Sequence, residues 1–152
     1  MEHRAEPARV HELASVLALL RDADLPEAGV AETFRNFVVV RDDETVVAAA
    51  GLEILGDDGL LRSVVVDPAF RGQGLAGLLV EGILDLASHL HLRALYLLTT
   101  SAPGYFLKHG FAECPREQAP PAVRESWEFQ AGCPSSSAFM RRAVGREAAN
   151  AS

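Results

Sequence analysis

The chain has 152 residues, of which 49% are hydrophobic and 23% are charged, and its formal net charge at pH 7 is −7. This length and this composition suit one globular domain with a buried core, and they exclude a chain that is disordered throughout. The acidic charge, with no Lys- or Arg-rich cluster beyond Arg141-Arg142, argues against a nucleic-acid-binding protein. An anionic small molecule would have to be bound by local donors.

The ends of the chain and its two cysteines show no sign of export, membrane insertion or metal binding. The first residues, MEHRAEPARVHEL, lack an apolar signal region, and carboxylates interrupt the apolar stretch Leu75–Leu90. Cys114 and Cys133 form no CxxC motif, and both a pair of reduced thiols and a disulfide stay open. The sequence predicts a cytoplasmic protein without a metal, with one domain over residues 1–145 and a frayed tail over residues 146–152.

Hydrophobic periodicity predicts one helix and then three strands in the first half of the chain. Apolar residues recur at helical spacing from Val10 to Leu20, and Pro7 suits the first turn of that helix. The segment FVVVRDDETVVAAAGLEIL is typical of two strands joined by a tight turn. The segment GDDG, residues 56–59, then leads into a strand over Leu60–Val66. Short turns between three successive strands indicate an antiparallel meander.

The pattern changes after Asp67-Pro68 and predicts a parallel crossover. One apolar stripe runs along a long amphipathic helix from Leu75, and RALYLLTT is apolar enough for a strand buried on both faces. The strands before and after that helix, Leu60–Val66 and Ala94–Leu98, should be parallel. A short helix through Lys108, a strand at GFAEC, a helix at PPAVRESWEF and a strand at SSSAFMRRAV follow. The predicted fold class is a mixed α/β single domain.

The segment RGQGLA, residues 71–76, places glycines where the long helix begins. Glycine weakens a helix, but a helix N-terminus presents unpaired N–H groups that an anion can reach when no Cβ stands in the way. The segment is neither a GxGxxG dinucleotide fingerprint nor a Walker loop. The two interpretations are a seat for a pyrophosphate and an ordinary turn between a strand and a helix.

The segment RGQGLA fits the [QR]-x-x-G-x-[GA] element of the GCN5-related N-acetyltransferase superfamily, and the flanking LRSVVVDPAF and APGYFLKHGF resemble the same superfamily. The resemblance implies a splayed central sheet and an acetyl-CoA site. The backbone amides that would hold the pyrophosphate are those of Arg71, Gly72, Gln73, Gly74, Leu75 and Ala76. The backbone that would pair with the pantetheine arm is that of Val64, Val65 and Val66.

The resemblance also implies a general base, and here the sequence departs from the family. Many members have a glutamate at the position of Leu60, so another carboxylate must remove the proton of the amine. If Leu55 and Leu60 are opposite each other across a hairpin, Glu53 faces Arg62. Glu53 could then act as the base and Arg62 could bind a carboxylate of the substrate. The alternative is a cross-strand ion pair without a catalytic role.

The proton donor for the departing thiolate is equally unusual. Many family members have a tyrosine at the position of Phe106, whereas in this chain the tyrosine is Tyr105, about 100° away around a helix. Tyr105 is a displaced acid or a packing residue. Thr99, Thr100 and Ser101, at the end of the predicted parallel strand, are alternative candidates for the donor.

Within the superfamily, the chain is similar to the acetyltransferases encoded in arsenic-resistance operons. The similarity rests on the segments GLE, LLRS and LLTT and on the tail Ala119–Met140. The segment LYLLTTSAPGYFLKHGF is more distantly similar to the transferase domain of bacterial N-acetylglutamate synthase. Ser136 could match a glutamate-binding serine of that enzyme, but the accompanying arginine is missing.

These resemblances imply an N-acetyltransferase that moves an acetyl group from acetyl-CoA to the amino group of a small, carboxylated acceptor, in arsenic resistance. The alternatives are an N-acetylglutamate synthase-like biosynthetic enzyme and a catalytically weak acyl-CoA sensor. No nucleic acid, membrane or metal partner is expected. A homodimer is expected only by analogy with the family.

Overall fold

The computed structural model describes residues 2–132 and 137–145. Within them the strands are β1 (Ala5–Pro7), β2 (Phe37–Asp42), β3 (Thr45–Leu55), β4 (Asp58–Val66), β5 (Ala94–Thr99), β6 (Ala112–Glu113) and β7 (Ala138–Ala143). The α-helices are α1 (Leu13–Asp22), α2 (Leu75–His89), α3 (Pro103–Leu107) and α4 (Pro121–Arg124). The strands form one mixed sheet in the order β1-β2-β3-β4-β5-β7-β6. The predicted α/β class is confirmed.

The chain divides into two compact units. The first unit comprises Met1–Glu53 and Leu61–Leu86, and the second comprises Ile54–Leu60 and Ala87–Ser152. Strands β3 and β4 contribute residues to both units, so the boundary crosses the hairpin that they form.

The first unit contains the start of the meander. Strands β2 and β3 pair antiparallel from Phe37↔Gly51 to Asp42↔Thr45, with a turn between them as predicted. The helix prediction is wrong at its start, because Pro7 pairs with Val38 in β1 and Val10 is 90% exposed. Proline suits β1 because an edge strand does not need every N–H donor.

One hydrophobic core belongs to the first unit. It brings the buried face of α1 against strands β2 and β3, and Val65 of β4 joins it. The buried residues of this cluster are Val16, Leu20, Val30, Phe34, Phe37, Val39, Val46, Ala49 and Val65. Val65 is therefore anchored by packing, which fixes the end of β4.

A buried ion pair joins the start of α1 to β2. Arg41 donates from Nε to Oε2 of Glu12 at 2.6 Å and from Nη2 to Oε1 at 2.8 Å. Both side chains are almost fully buried, and the Glu12 carboxylate also accepts the backbone N–H of Arg9 at 2.7 Å. The side-chain hydrogen bond from Arg41 lowers the pKa of Glu12 from its ordinary value. The pair is bidentate, the geometry in which such pairs are strongest.

The second unit contains the predicted parallel pair. Strands β4 and β5 are parallel, with Gly59 beside Leu95 and Leu60 beside Tyr96, and β5 continues antiparallel with β7. Strand β4 begins at Asp58, two residues before the predicted start. Asp58 can lie inside a buried strand because Arg93 donates to its carboxylate at 2.8 Å.

The last predicted helix, PPAVRESWEF, is shorter than expected. Helix α4 ends at Arg124, and a separate π-helical turn covers Glu128–Gly132. The reason lies in Ser126, whose hydroxyl donates to the Val123 carbonyl at 2.6 Å. A serine that bonds the backbone in this way competes with helical hydrogen bonds.

Candidate active site

The exposed turn between β4 and α2 carries the predicted anion seat. After β4 ends, Asp67 accepts the N–H of Ala69 at 2.9 Å and caps a short 3₁₀ turn, Pro68–Phe70. The residues from Arg71 to Gly74 are exposed, whereas Leu75 is 2% exposed. Leu75 thus anchors the start of α2 in the core, and a ligand at the turn would meet exposed backbone.

The geometry of this turn fits an anionic ligand. Gly72 has φ of +80° and Gly74 has φ of +78°, which glycine adopts without strain. A Cβ built at either position would meet nothing within 4 Å, so the space beside the backbone is open. Helix α2 has 15 residues, and its first-turn N–H groups have no helical acceptor. The six residues predicted to hold the pyrophosphate lie together at this helix end.

Strand β4 contains a bend that the sequence does not show. Ser63 has φ of +61°, a left-handed conformation that is uncommon for serine. Regular alternation would place Val64 on the same face of β4 as Leu60 and Arg62, and the positive φ of Ser63 interrupts that alternation. Val64 and Val66 are half-buried, whereas Val65 is buried in the core of the first unit. The predicted splay of this strand stays a prediction.

Glu53 and Arg62 lie close together, as the hairpin predicts. Nη1 of Arg62 is 3.7 Å from Oε1 of Glu53, and the side chains are 3% and 19% exposed respectively. Within the described residues, this Glu53 oxygen is buried and makes no hydrogen bond. A buried carboxylate oxygen without a donor is uncommon and can accept a proton or a hydrogen bond from a ligand.

Thr99 and Tyr105 lie in the second unit, at the end of β5 and in α3. The Thr99 hydroxyl accepts the N–H of Ala102 at 3.1 Å, so it helps to begin α3. Burial raises the pKa of Tyr105 above its ordinary value. The centroid of the Tyr105 ring lies 5.3 Å from the ring centroid of Phe106 and 4.7 Å from that of His109. Either hydroxyl can donate a proton.

The family's usual base position is apolar and buried. Leu60 is 1% exposed and belongs to a cluster with Tyr96, Val123 and Phe139 in the second unit. The rings of Tyr96 and Phe139 stack within this cluster, with their centroids 5.3 Å apart. No carboxylate can act from this position.

The remaining predictions concern Ser136, the two cysteines, metal binding and membrane spans. Ser136 lies outside the described residues, as does Cys133, and Cys114 is a free thiol. Residues 2–132 and 137–145 contain no group of three metal-ligating side chains. In the same ranges, every helix is too short or too polar to cross a bilayer.

The fold and the turn define an α/β protein whose exposed helix end offers donors to an anion. The profile of the Acetyltransferase (GNAT) family matches residues 5–111. This match covers more than half of the chain, including β4, the glycine turn and α3. The chain therefore belongs to the acetyltransferase (GNAT) family.

Individual relatives and solved structures are similar to this chain, and the chain spans well under half the length of the first two. The chain is 38% identical over 69 residues to an amino-acid acetyltransferase of Mycobacterium tuberculosis; the match covers 45% of this chain and 39% of that protein. N-acetylglutamate synthase from Neisseria gonorrhoeae, complexed with coenzyme A and N-acetyl-glutamate, superposes with a TM-score of 0.83 at 19% identity over 96% of this chain and 36% of that one.

A third relative resembles this chain over nearly its whole length. Rv2747 from Mycobacterium tuberculosis, in complex with CoA, gives a TM-score of 0.79 at 22% identity and covers 92% of this chain and 98% of that one. At these identities the structural likenesses establish the fold alone.

Proposed function

We propose that this chain transfers an acetyl group from acetyl-CoA to the amino group of a small, carboxylated, amino-acid-like acceptor. The observation that carries the proposal is the exposed turn Arg71–Gly74 at the start of α2, with open space beside both glycines. Membership of the acetyltransferase (GNAT) family and the amino-acid acetyltransferases among the relatives support it.

The coenzyme is proposed to bind through its pyrophosphate to the backbone amides of Arg71–Ala76. A helix N-terminus favours negative charge, and the Arg71 side chain adds a positive charge. The backbone of Val64–Val66 is proposed to pair with the pantetheine arm. Acetyl-CoA supplies the activated acetyl group when it is bound, and the residues of this chain orient it and move protons.

Glu53 is proposed to take the proton of the acceptor's amine. The amine must lose a proton to attack the thioester, and Glu53 has a buried oxygen without a hydrogen bond to receive it. Tyr105 or Thr99 is proposed to return a proton to the leaving sulfur. Tyr105 is protonated at neutral pH, as any tyrosine with an ordinary or raised pKa is, and can therefore act as the donor.

Arg62 is proposed to bind a carboxylate of the acceptor through the guanidinium group that also faces Glu53 at 3.7 Å. Ser136 is proposed to contact the same acceptor. Two acceptors deserve direct comparison: glutamate, which the synthase-like relatives suggest, and an arsenic-containing glutamate mimic, which the tail Ala119–Met140 suggests. The latter would place the chain in arsenic resistance.

Release of free CoA thiol, measured over a panel of amines, tests the proposed function. The panel contains glutamate, other amino acids, glutamate mimics and a simple amine without a carboxylate. Turnover that requires an α-carboxylate supports the proposal, and the preferred amine identifies the acceptor. Failure of the protein to bind acetyl-CoA would refute the proposal.

The substitution Gly74→Val should weaken CoA binding by about tenfold to a hundredfold. A valine side chain would fill the open space beside the turn and separate the phosphates from at least one amide. A hydrogen bond to a charged group contributes roughly 1.5–3 kcal/mol, which corresponds to that range. Isothermal titration with CoA measures the change.

Gly56→Val is the matched control for this substitution. Gly56 also has a positive φ, +66°, but it lies in the turn between β3 and β4. Valine is strained at both positions because each glycine has a positive φ. The comparison of the two variants therefore separates backbone strain from an effect at the proposed coenzyme seat. If both variants bind CoA equally well after a check of folding, the turn is not the coenzyme seat.

A catalytically weak acyl-CoA sensor is the second candidate, and the apolar residues at two customary catalytic positions favour it. Leu60 and Phe106 are both buried and cannot exchange protons. A sensor would bind acetyl-CoA tightly and turn over none of the amines. The thiol-release panel therefore separates the two functions.

A further inference from the structure

The bend at Ser63 is held by its neighbour in the chain. Nε of Arg62 donates to the Ser63 hydroxyl at 3.2 Å, while the serine keeps its left-handed φ of +61°. A non-glycine residue stays in this conformation only where its surroundings enforce it, and such residues concentrate at functional sites. The bend immediately precedes Val64–Val66, the backbone proposed to pair with the coenzyme.

The same guanidinium reaches a distant turn of the first unit. Nη2 of Arg62 donates to the Ala28 carbonyl, 34 residues earlier in the chain. A Cβ at Gly29 would lie 3.0 Å from Nη1 of Arg62, so the absent side chain lets the guanidinium approach. Arg62 is 5% exposed, and its planar fork of donors can hold several acceptors in one arrangement.

Packing connects the same two segments. Val30, next to Gly29, and Val65, two residues after Ser63, belong to the same buried cluster. The Ala28–Val30 turn and the end of β4 are thus joined by an apolar contact cluster and by the hydrogen bonds of Arg62. Neither link is visible in the local sequence pattern.

We propose that Arg62 and Ser63 are positioning residues that hold the end of β4 in a bent conformation ready for the coenzyme. The Arg62 guanidinium donates one hydrogen bond to the Ala28 carbonyl and a second to the Ser63 hydroxyl. Together these two bonds fix the direction of the backbone over Val64–Val66, the segment that follows the bend. The inference rests on the proposed function, because it assigns these residues to coenzyme binding.

The test uses Ser63, because Arg62 is also proposed to favour the acceptor. Ser63→Gly keeps the left-handed backbone and removes the hydroxyl, and it should weaken CoA binding by up to about tenfold, the limit set by one hydrogen bond to a charged group that holds the binding conformation. Ser63→Asn should bind CoA nearly as well as the wild type, because asparagine tolerates a positive φ and offers an oxygen to Arg62. Titration calorimetry measures both affinities.

A second variant perturbs the contact between Arg62 and the Ala28–Val30 turn from the side of the turn. Gly29→Ala places a methyl group 3.0 Å from Nη1 of Arg62 and strains the Ala28–Val30 turn, where Gly29 has φ of +78°, but it leaves the sequence of β4 unchanged; it should also weaken CoA binding severalfold. In steady-state assays, Ser63→Gly should raise the KM for acetyl-CoA more than the KM for the acceptor. A merely structural role would not produce this difference.

His91→Gly is the control for the backbone change. His91 has the same φ of +61° but is exposed after α2, so glycine there should leave CoA binding unchanged. CoA binding by the wild type is measured first, and its absence would refute the proposed function itself. If the wild type binds and Ser63→Gly binds equally well, or if Ser63→Asn is as weak as Ser63→Gly, the positioning role is wrong.

Discussion

Glu53→Gln should lower kcat by about 10²- to 10⁴-fold, the usual contribution of a general base. Glutamine keeps the shape of the side chain next to Arg62 but cannot take a proton from the amine. The affinity for CoA should stay the same, because Glu53 is not part of the turn Arg71–Gly74. Steady-state kinetics with the best acceptor from the panel, together with CoA titration, measure both quantities.

Asp58→Asn is the matched control for Glu53→Gln. Asp58 is a buried carboxylate paired with Arg93, so its neutralisation removes the same charge at a position with no proposed catalytic role. It should lower the free energy of unfolding and leave kcat largely intact. A Glu53→Gln enzyme with wild-type kcat would show that Glu53 is only the ion-pair partner of Arg62.

Arg41→Met should lower the free energy of unfolding by about 3–5 kcal/mol. The Arg41 side chain is 7% exposed and that of Glu12 is 5% exposed, so removal of the guanidinium leaves a buried carboxylate without its hydrogen-bonded counter-charge. The double variant Glu12→Gln/Arg41→Met should recover much of the loss, because it leaves no buried charge. Urea unfolding of the variants measures these differences.

Arg21→Met provides the comparison with an exposed ion pair. Arg21 lies 2.9 Å from Glu27, with the two side chains 66% and 38% exposed, and such a pair contributes less than about 1 kcal/mol. If Arg41→Met is no more destabilising than Arg21→Met, the buried pair does not stabilise the start of α1 as proposed.

The same pair should make the stability of the protein depend on acidic pH. Because the hydrogen bond from Arg41 lowers the pKa of Glu12 in the folded state, the unfolded state takes up a proton first as the pH falls. The stabilisation is complete above the ordinary pKa of glutamate and is lost as the pH falls through the lowered pKa. Arg41→Met should show a smaller loss of stability over this range.

The local sequence was sufficient for the elements whose signals lie within a few residues. Continuous apolar runs separated by turn residues predict β2 and β3, and the apolar stripe from Leu75 predicts α2. The parallel pairing of β4 with β5 also follows, because a strand-helix-strand segment favours it. The proximity of Glu53 and Arg62 was predictable because hairpin partners are neighbours in sequence.

The features that the sequence did not reveal depend on contacts between distant residues. Asp58 begins β4 because Arg93, 35 residues later, pairs with its carboxylate, and β1 is too short to show an alternating pattern. The bend at Ser63 has no local signal, since serine has no preference for a positive φ.

The sequence by itself therefore determined the strands from β2 to β5, helix α2 and the glycine turn, because backbone preference and hydrophobic periodicity act over short spans. Only the tertiary structure decided which buried charges meet and where β4 bends. The pairing of buried charges and the position of the bend depend on hydrogen bonds between residues that are far apart in the sequence. The bond from Arg62 to the Ala28 carbonyl, 34 residues earlier, is an example.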